Sequence, residues 1–187
     1  MTVWKSILLM ALIGTLAHAK EFVIDNAHSN VGFTIKHMMI SNVKGSFDAY
    51  TADIDYDTAK KVFTKLNAKV TAASVNTNNQ KRDEHLRSSD FFSADEFKYI
   101  QFEMTSMKDG KINGDLTIRD VTHHVTLNAK VHGLVKDFQG YQRLGFTLEG
   151  KISRKEFDLT WNKVLESGGV AVDDTVNLII DVEAIEL

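Results

Sequence analysis

Residues 108–131 read KDGKINGDLTIRDVTHHVTLNAKV, a stretch in which apolar residues occupy every second position along two runs. Period two is the period of a β-strand, where successive side chains lie on opposite faces of the sheet. The Asp109–Gly110 pair is favoured in tight hairpins, and Arg119–Asp120 separates the two runs. The buried set comprises Ile112, Gly114, Leu116, Ile118, Val125, Leu127, Ala129 and Val131. The stretch therefore predicts adjacent antiparallel strands with one buried and one wet face.

The same alternation recurs elsewhere and predicts about eight strands in all. The apolar sets of the other segments begin at Val31, Val43, Leu66, Ile100, Leu144 and Val176. Strands of this number form either a two-sheet sandwich or a closed barrel. Small residues on the predicted inner faces favour a barrel that its own side chains do not fill, with room for one small ligand. They are Gly45, Ala68, Ala72, Gly114, Ala129 and Gly150.

Two segments interrupt the alternation. Residues 78–88 are polar and rich in helix formers, which predicts a short helix. Residues 153–169 predict a short turn capped by Ser153, followed by a loop that ends in two glycines. The predicted fold class is therefore all-β: an antiparallel eight-stranded barrel with one or two short helices.

The composition describes one globular domain without cysteine chemistry. The chain has 187 residues, a net charge of −3, and neither cysteine nor proline. The absence of cysteine excludes disulfides, thiol catalysis and Cys-type zinc sites. The mild negative charge and the lack of a basic run argue against nucleic-acid binding.

The first nineteen residues, MTVWKSILLMALIGTLAHA, have the three parts of a secretory signal. Lys5 precedes an apolar run over residues 7–16, and Ala17 and Ala19 stand at the −3 and −1 positions of a cleavage site. A membrane-spanning helix needs about 20 apolar residues, roughly twice this run. We therefore predict a signal peptide over residues 1–19, cleaved after Ala19, and a soluble domain over residues 20–187 that is exported to the periplasm without stable membrane insertion.

Several blocks of the chain resemble the YceI-like family. The most specific block is SVNTNNQKRDEHLRSSDFF at residues 74–92, and DNAHSNVGF at residues 25–33 and SRKEFDL at residues 153–159 also match. The resemblance implies an exported, lipocalin-like barrel that binds long isoprenoid or fatty lipids non-covalently. It implies neither catalysis nor another cofactor. The family often has Gly at Asp120 and Pro at Lys98 and His124, so this chain departs from it at predicted strand ends.

A closed barrel of these strands would have an interior almost free of charge, which suits an apolar guest. From the pattern alone, a solid core of the same residues is the stronger interpretation, and the resemblance reverses that preference. The predicted lipid-contacting residues are Phe33, Ile35, Phe47, Val70, Phe102, Met104, Leu116, Leu127, Phe146, Leu148, Leu178 and Ile180.

Polar residues within the distinctive block, together with two residues just before the first predicted strand, are candidates to meet at a barrel mouth and hold a lipid headgroup. They are His28, Asn30, Arg82, Asp83, His85 and Asp90. The alternative is structural, with Arg82 or Arg87 paired to an acid of the same block. Trp161 and Asn162 form either a portal or a closure of the barrel end. Residues 38–40 form either a flexible lid or an interface between two copies in a homodimer.

Metal binding and hydrolysis are the alternatives from other classes. His123, His124 and His132 are candidate ligands, but adjacent strand residues point to opposite faces, so His123 and His124 are not expected to share one ion. The chain has no Gly-x-Ser-x-Gly, His-Glu-x-x-His or phosphate-loop motif. We therefore predict a carrier of a long-chain lipid, with no catalytic residues and no metal.

Overall fold

The computed structural model describes residues 19–166 and 168–187. The predicted signal peptide lies outside the described residues except for Ala19, as does Ser167 in the predicted loop. No helix in the described part of the chain is long and apolar enough to cross a membrane.

The described residues form eleven strand segments, one α-helix and two 3₁₀ turns. The strands are β1 (Lys20–Ile24), β2 (Asn30–His37), β3 (Ser41–Phe47), β4 (Tyr50–Asp57), β5 (Val62–Thr71), β6 (Val75–Asn76), β7 (Tyr99–Lys108), β8 (Lys111–Ile118), β9 (Val121–Lys136), β10 (Gln142–Ser153) and β11 (Val172–Glu186). The helix is α1 (Gln80–Arg87), and the 3₁₀ turns span Ala72–Ser74 and Arg154–Phe157.

These segments build a closed antiparallel barrel of eight strands. Strand β10 pairs along one side of β11, so β1 and β2, which both pair with β11, share its other side and act as one interrupted barrel strand. Strands β3 and β4 are joined through Asp48 and Ala49 and pair with β2 and β1, so they form a second interrupted barrel strand. Strands β5 and β6 pair with β4 and β3 in the same way. The barrel closes where β1 pairs with β11 through three residue pairs.

The two ends of the barrel differ in their connections. The upper end carries the β2–β3 and β8–β9 turns, α1 and the segment between β10 and β11, whereas the lower end carries the β4–β5, β7–β8 and β9–β10 turns. The lower half is packed by side chains that are at most 3% exposed: Phe22, Ile54, Tyr56, Phe63, Ile112, Leu144, Phe146 and Ala184. The Phe63 ring lies 5.0 Å from Tyr56 and 4.8 Å from Phe146, centroid to centroid.

The helix forms where the sequence predicts it. Asn79 caps α1, because its side chain accepts a hydrogen bond of 3.0 Å from the Arg82 backbone N–H. The predicted hairpin turns are also present, and Asp109 and Gly110 both adopt positive φ values, as a tight hairpin turn requires. Ser153 precedes the second predicted turn, but its hydroxyl donates to Asp174 at 2.8 Å and does not cap.

The structure corrects part of the strand interpretation. Strands β1 and β4 are absent from the predicted set, and Ala72 lies in a 3₁₀ turn. Three glycines also play a different role from the one predicted. A Cβ atom at Gly45 would lie 2.4 Å from Cζ of Phe33, one at Gly114 would lie 2.4 Å from Cζ of Phe102, and one at Gly150 would lie 2.5 Å from Cδ2 of Leu127. These glycines therefore make room for neighbouring side chains and leave no empty space of their own.

Candidate functional site

An internal cavity occupies the upper half of the barrel. The cavity has a volume of about 190 Å³. Residues Ala52 and Ala68 are direct cross-strand partners on the wall. The cavity exists here because neither alanine reaches towards the barrel axis, whereas the equivalent layers below are filled by Phe, Tyr and Leu.

The wall is apolar apart from a few side chains. Eleven of the twelve predicted lipid-contacting residues line it: Phe33, Ile35, Phe47, Val70, Phe102, Leu116, Leu127, Phe146, Leu148, Leu178 and Ile180. Met104 does not, because it lies nearer the lower end of β7 than Phe102 does, opposite Gly114, and its side chain packs against the core there. The polar residues on the wall are Tyr50, Thr51, Gln101 and Arg154. The Tyr50 hydroxyl is occupied, since it donates to the Ser29 carbonyl at 2.7 Å.

An aromatic cluster closes the upper end. Phe91 lines the cavity, and its ring lies 5.4 Å from Trp161 and 5.0 Å from His85. The His85 and Trp161 rings meet edge to face at 4.8 Å. His85 Nε2 also lies 2.8 Å from Oδ2 of Asp90. The structure therefore brings together three of the predicted portal residues, His85, Asp90 and Trp161, in a cover that joins the α1 region to the segment after β10.

Arg82 and Asp83 stabilise the base of α1. Asp83 is buried, and its Oδ1 accepts hydrogen bonds from the Thr77 backbone N–H at 2.9 Å and from the Thr77 hydroxyl at 2.5 Å. Arg82 donates through Nε to the Thr77 hydroxyl at 2.7 Å and through its terminal N–H to the Thr77 carbonyl at 2.9 Å. Neither residue lines the cavity. The contacts of Arg82 and Asp83 are structural, but the predicted pairing of Arg82 or Arg87 with an acid is wrong: Thr77 lies between Arg82 and Asp83, and Arg87 donates to the carbonyls of Ala73 and Val75.

A second polar network holds the segment between β10 and β11. Asn162 donates through Nδ2 to the Val172 carbonyl at 2.7 Å and accepts the Val172 N–H at 3.1 Å. Arg154 is only 2% exposed and donates to the carbonyls of Leu159 and Asp173. Burial lowers the pKa of Arg154. The Arg154 guanidinium therefore donates its hydrogen bonds to backbone carbonyls, and Asn162 stabilises the segment between β10 and β11 through its two bonds to Val172.

Arg154 is a cavity-wall residue that sequence reasoning missed. It lies in the SRKEFDL block, where two adjacent basic residues follow a strand end and nothing in the sequence indicates that the first of them is buried. Tyr50, Ala52 and Ile54 were missed with strand β4, although their alternation with Thr51, Asp53 and Asp55 carries the signal.

His28 and Asn30 lie apart from the α1 cluster, contrary to the predicted meeting at a mouth. His28 Nδ1 lies 2.9 Å from Oδ2 of Asp25 and its side chain is 62% exposed. Asn30 begins β2 with its side chain beside Gly32, on the opposite face from the wall residue Val31. Asn30 points to the outer surface because successive strand residues alternate between the two faces, whereas His28 lies outside the strands, in the turn between β1 and β2.

The outer group around Arg143 holds the closing seam of the barrel. The Arg143 guanidinium donates to Asp25 at 2.8 Å, to Asp137 at 2.8 Å and to Glu183 at 2.6 Å. Hydrogen bonds from His28 and Arg143 lower the pKa of Asp25 to about 2, and the Asp25 hydrogen bond raises the pKa of His28. Asp25, His28 and Glu183 bring three potential metal-ligand atoms together, but the Arg143 cation already lies against both carboxylates.

The three histidines considered for metal binding have separate partners. His123 Nε2 lies 2.8 Å from the Glu156 carbonyl, His124 Nδ1 lies 2.9 Å from Asp115 Oδ1, and His132 Nε2 lies 2.7 Å from the Thr147 hydroxyl. They do not form a common ligand group within the described residues.

A closed eight-stranded antiparallel barrel with an apolar interior cavity is a lipocalin-like barrel. The family model for the YceI-like domain matches residues 22–184. The chain therefore belongs to the YceI-like family.

Known relatives agree with this assignment. A UPF0312 protein of Staphylococcus aureus is 40% identical over 157 residues, which cover 83% of this chain and 92% of the relative. The crystal structure of a Campylobacter jejuni YceI protein is 42% identical, with a TM-score of 0.73 over 88% of this chain and 96% of that one. A polyisoprenoid binding domain from Saccharophagus degradans shares the fold at 14% identity, with a TM-score of 0.62 over 90% of this chain and 99% of that one.

Proposed function

We propose that this protein binds one long-chain amphiphile with its tail inside the barrel and carries or stores it without reacting with it. The observation that supports this most is the cavity, whose wall consists almost entirely of aliphatic and aromatic side chains. Membership of the YceI-like family and the fold likeness to a domain named for polyisoprenoid binding support the same class of ligand.

The energetics favour a tail over a polar guest. Each buried CH₂ group contributes roughly 0.8 kcal/mol, so a tail of about a dozen such groups contributes on the order of 10 kcal/mol before ordering and association costs are subtracted. A charged group inside the same cavity would lose its hydration without gaining a partner, because the buried Arg154 cation is already bonded to backbone carbonyls. An isoprenoid tail is the first candidate and a fatty acid or amide the second.

The polar end of the ligand belongs at the upper end. Below the cavity the barrel is filled by residues such as Phe22 and Leu144, which are at most 1% exposed. At the upper end, wall residues such as Ile35, Val176 and Leu86 are only half-buried. The headgroup would therefore lie close to His85, Asp90 and Trp161, the cover of the cavity.

The site of action that we propose is the periplasm of a Gram-negative cell. The support is the tripartite signal pattern of residues 1–19, with its small residues before the proposed cleavage site. A carrier at this location would shield an apolar chain from water between two membranes.

The test is native mass spectrometry of the protein purified from its own cell, followed by organic extraction. We expect one added mass per chain that dissociates on denaturation and is recovered as an isoprenoid or fatty lipid. Protein that carries no such mass, and that takes up neither a polyprenyl quinone nor palmitate when these are supplied in ethanol, would contradict the proposal.

A further inference from the structure

The turn between β2 and β3 exposes three consecutive apolar side chains. Met38 is 42% exposed, Met39 is 52% exposed and Ile40 is 87% exposed. Val164, which is 83% exposed, lies in the neighbouring segment, and the two segments are joined by a 2.8 Å hydrogen bond from the Met38 N–H to the Ala171 carbonyl. Met38, Met39, Ile40 and Val164 are called the apolar tip below.

The backbone of the tip makes this choice of residues unfavourable for folding alone. Met38 has a φ of 49° and Met39 a φ of 64°, so two consecutive methionines adopt the left-handed region. Asn and Gly adopt this conformation at lower cost and are favoured in such hairpin turns. Because these residues strain the turn and also expose apolar surface, they do not serve the stability of the fold, which indicates a role in contact with another surface.

The tip continues the upper end of the cavity wall. Ile35 lines the cavity on β2 and pairs with Val43 on β3, and the turn follows directly from these strands. Strand β6 pairs with β3 only at Ser46 and Phe47, so within the described chain residues 41–45 have a strand partner on one side only. A chain that enters beside this free edge reaches the cavity without crossing the packed lower half.

The surroundings of the tip fit a lipid surface. The exposed side chains of Lys36, Lys44 and Lys163 flank it on the same two segments, with Glu166 as an acidic neighbour. Lysines beside an apolar projection favour an interface with anionic phospholipid headgroups. A second copy of the chain fits less well, because four partly exposed side chains supply less than the roughly 800 Å² that each partner contributes to a stable dimer.

We propose that the apolar tip inserts into the surface of a phospholipid bilayer and that the lipid ligand enters the cavity from the bilayer beside it. This inference rests on the proposed function, since it assigns the route by which that ligand is loaded.

The test uses the full chain and a triple variant, Met38→Asn, Met39→Gly and Ile40→Thr. These residues suit the turn, so we expect its melting temperature to equal or exceed that of the parent protein. Phe138→Ser is the matched control, because Phe138 is a fully exposed aromatic residue in the β9–β10 loop at the lower end. Each protein is mixed with vesicles of phosphatidylethanolamine and phosphatidylglycerol that contain a polyprenyl quinone, and the quinone that leaves with the protein is followed over time.

We expect the triple variant to extract quinone about tenfold more slowly, because it loses the apolar area that inserts, and the control to match the parent. Loading from ethanol should be the same in all three proteins. Equal extraction by the variant and the parent would overturn the inference while the proposed function stands. Failure of all three to load by either route would instead refute the proposed function. A parent dimer that the triple variant converts to a monomer in sedimentation velocity would assign the tip to a second copy and also overturn the inference.

Discussion

In the lower half of the barrel Phe22, Ile112 and Leu144 are at most 1% exposed, whereas Ile35 and Leu178 in the upper half are half-buried around a cavity. The same eight barrel strands, three of them interrupted, run through both halves, so the set of strands does not cause the difference. It comes from side-chain volume, because aromatic residues and leucines meet below while Ala52 and Ala68 meet above. Packing is therefore tightest in the lower half, away from the cavity, and the upper half is left hollow.

A matched pair of leucine substitutions tests this division most strongly. Leu144→Ala should lower the free energy of unfolding by about 3–5 kcal/mol, because it opens a void in a filled core. Leu178→Ala should cost at most about 1–2 kcal/mol, because this side chain already borders empty space and has fewer contacts to lose. Urea unfolding measures both, and equal losses would show that the two halves are packed alike.

We expect the segment between β10 and β11, which carries Trp161 of the aromatic cluster, to depend on Arg154 for its stability. Arg154→Met keeps the aliphatic stem but leaves the carbonyls of Leu159 and Asp173 without their donor, so we expect a loss of about 2–3 kcal/mol. Amide hydrogen exchange should become faster at residues 159–173 and stay unchanged around Leu144. Faster exchange in both halves would contradict the view that the two halves of the barrel are stabilised separately.

Arg82→Ala discriminates between the structural and headgroup roles of the α1 region. The substitution removes two hydrogen bonds to Thr77, so the free energy of unfolding should fall by about 1–2 kcal/mol. The amount of lipid retained per folded chain should not change, since Arg82 does not line the cavity. Loss of lipid at unchanged melting temperature would assign Arg82 to the headgroup instead.

The smallest effect is expected at the outer seam. Because the pKa of Asp25 is lowered from 3.8 to about 2, its carboxylate contributes stability that is full above the unfolded value and is lost as the pH falls towards 2. His28, whose pKa is raised, contributes below its ordinary value of 6.5 and loses that contribution as the pH rises through its folded value. Asp25→Asn should therefore lower the urea midpoint at pH 6 and make the acid limb between about pH 4 and 2 shallower. Parallel acid limbs in the two proteins would argue against the pairing.

Much of the barrel could be predicted from the alternation of apolar and polar residues along the sequence. The inward sets around Leu116, Leu127 and Phe146 are placed correctly because each strand has a clear polar opposite face. The predicted number of strands is right for a partly different reason. Strands β1 and β4 were missed, and the total still agrees because β1 with β2, and β3 with β4, each form one interrupted barrel strand.

The candidate site was less predictable because sequence spacing does not place loops. His28 lies in the β1–β2 turn and His85 lies in α1, and the first joins the Arg143 seam whereas the second joins the aromatic cluster at the upper end. Nothing local in the sequence marks Arg154 as buried, since its partners at Leu159 and Asp173 depend on how the segment after β10 folds back. The cavity itself depends on the cross-strand register that pairs Ala52 with Ala68.

The most direct test of the central claim fills the cavity and counts the ligand. Ala68→Phe places a ring into the hollow half, while Lys69→Phe adds the same ring to the outer face of the same strand. Native mass spectrometry of both proteins, purified from their own cell, should find the lipid on the Lys69→Phe protein at the parent level and little or none on the Ala68→Phe protein, with the latter still folded. Full lipid occupancy in a folded Ala68→Phe protein would mean that the ligand lies outside the barrel and would contradict the account.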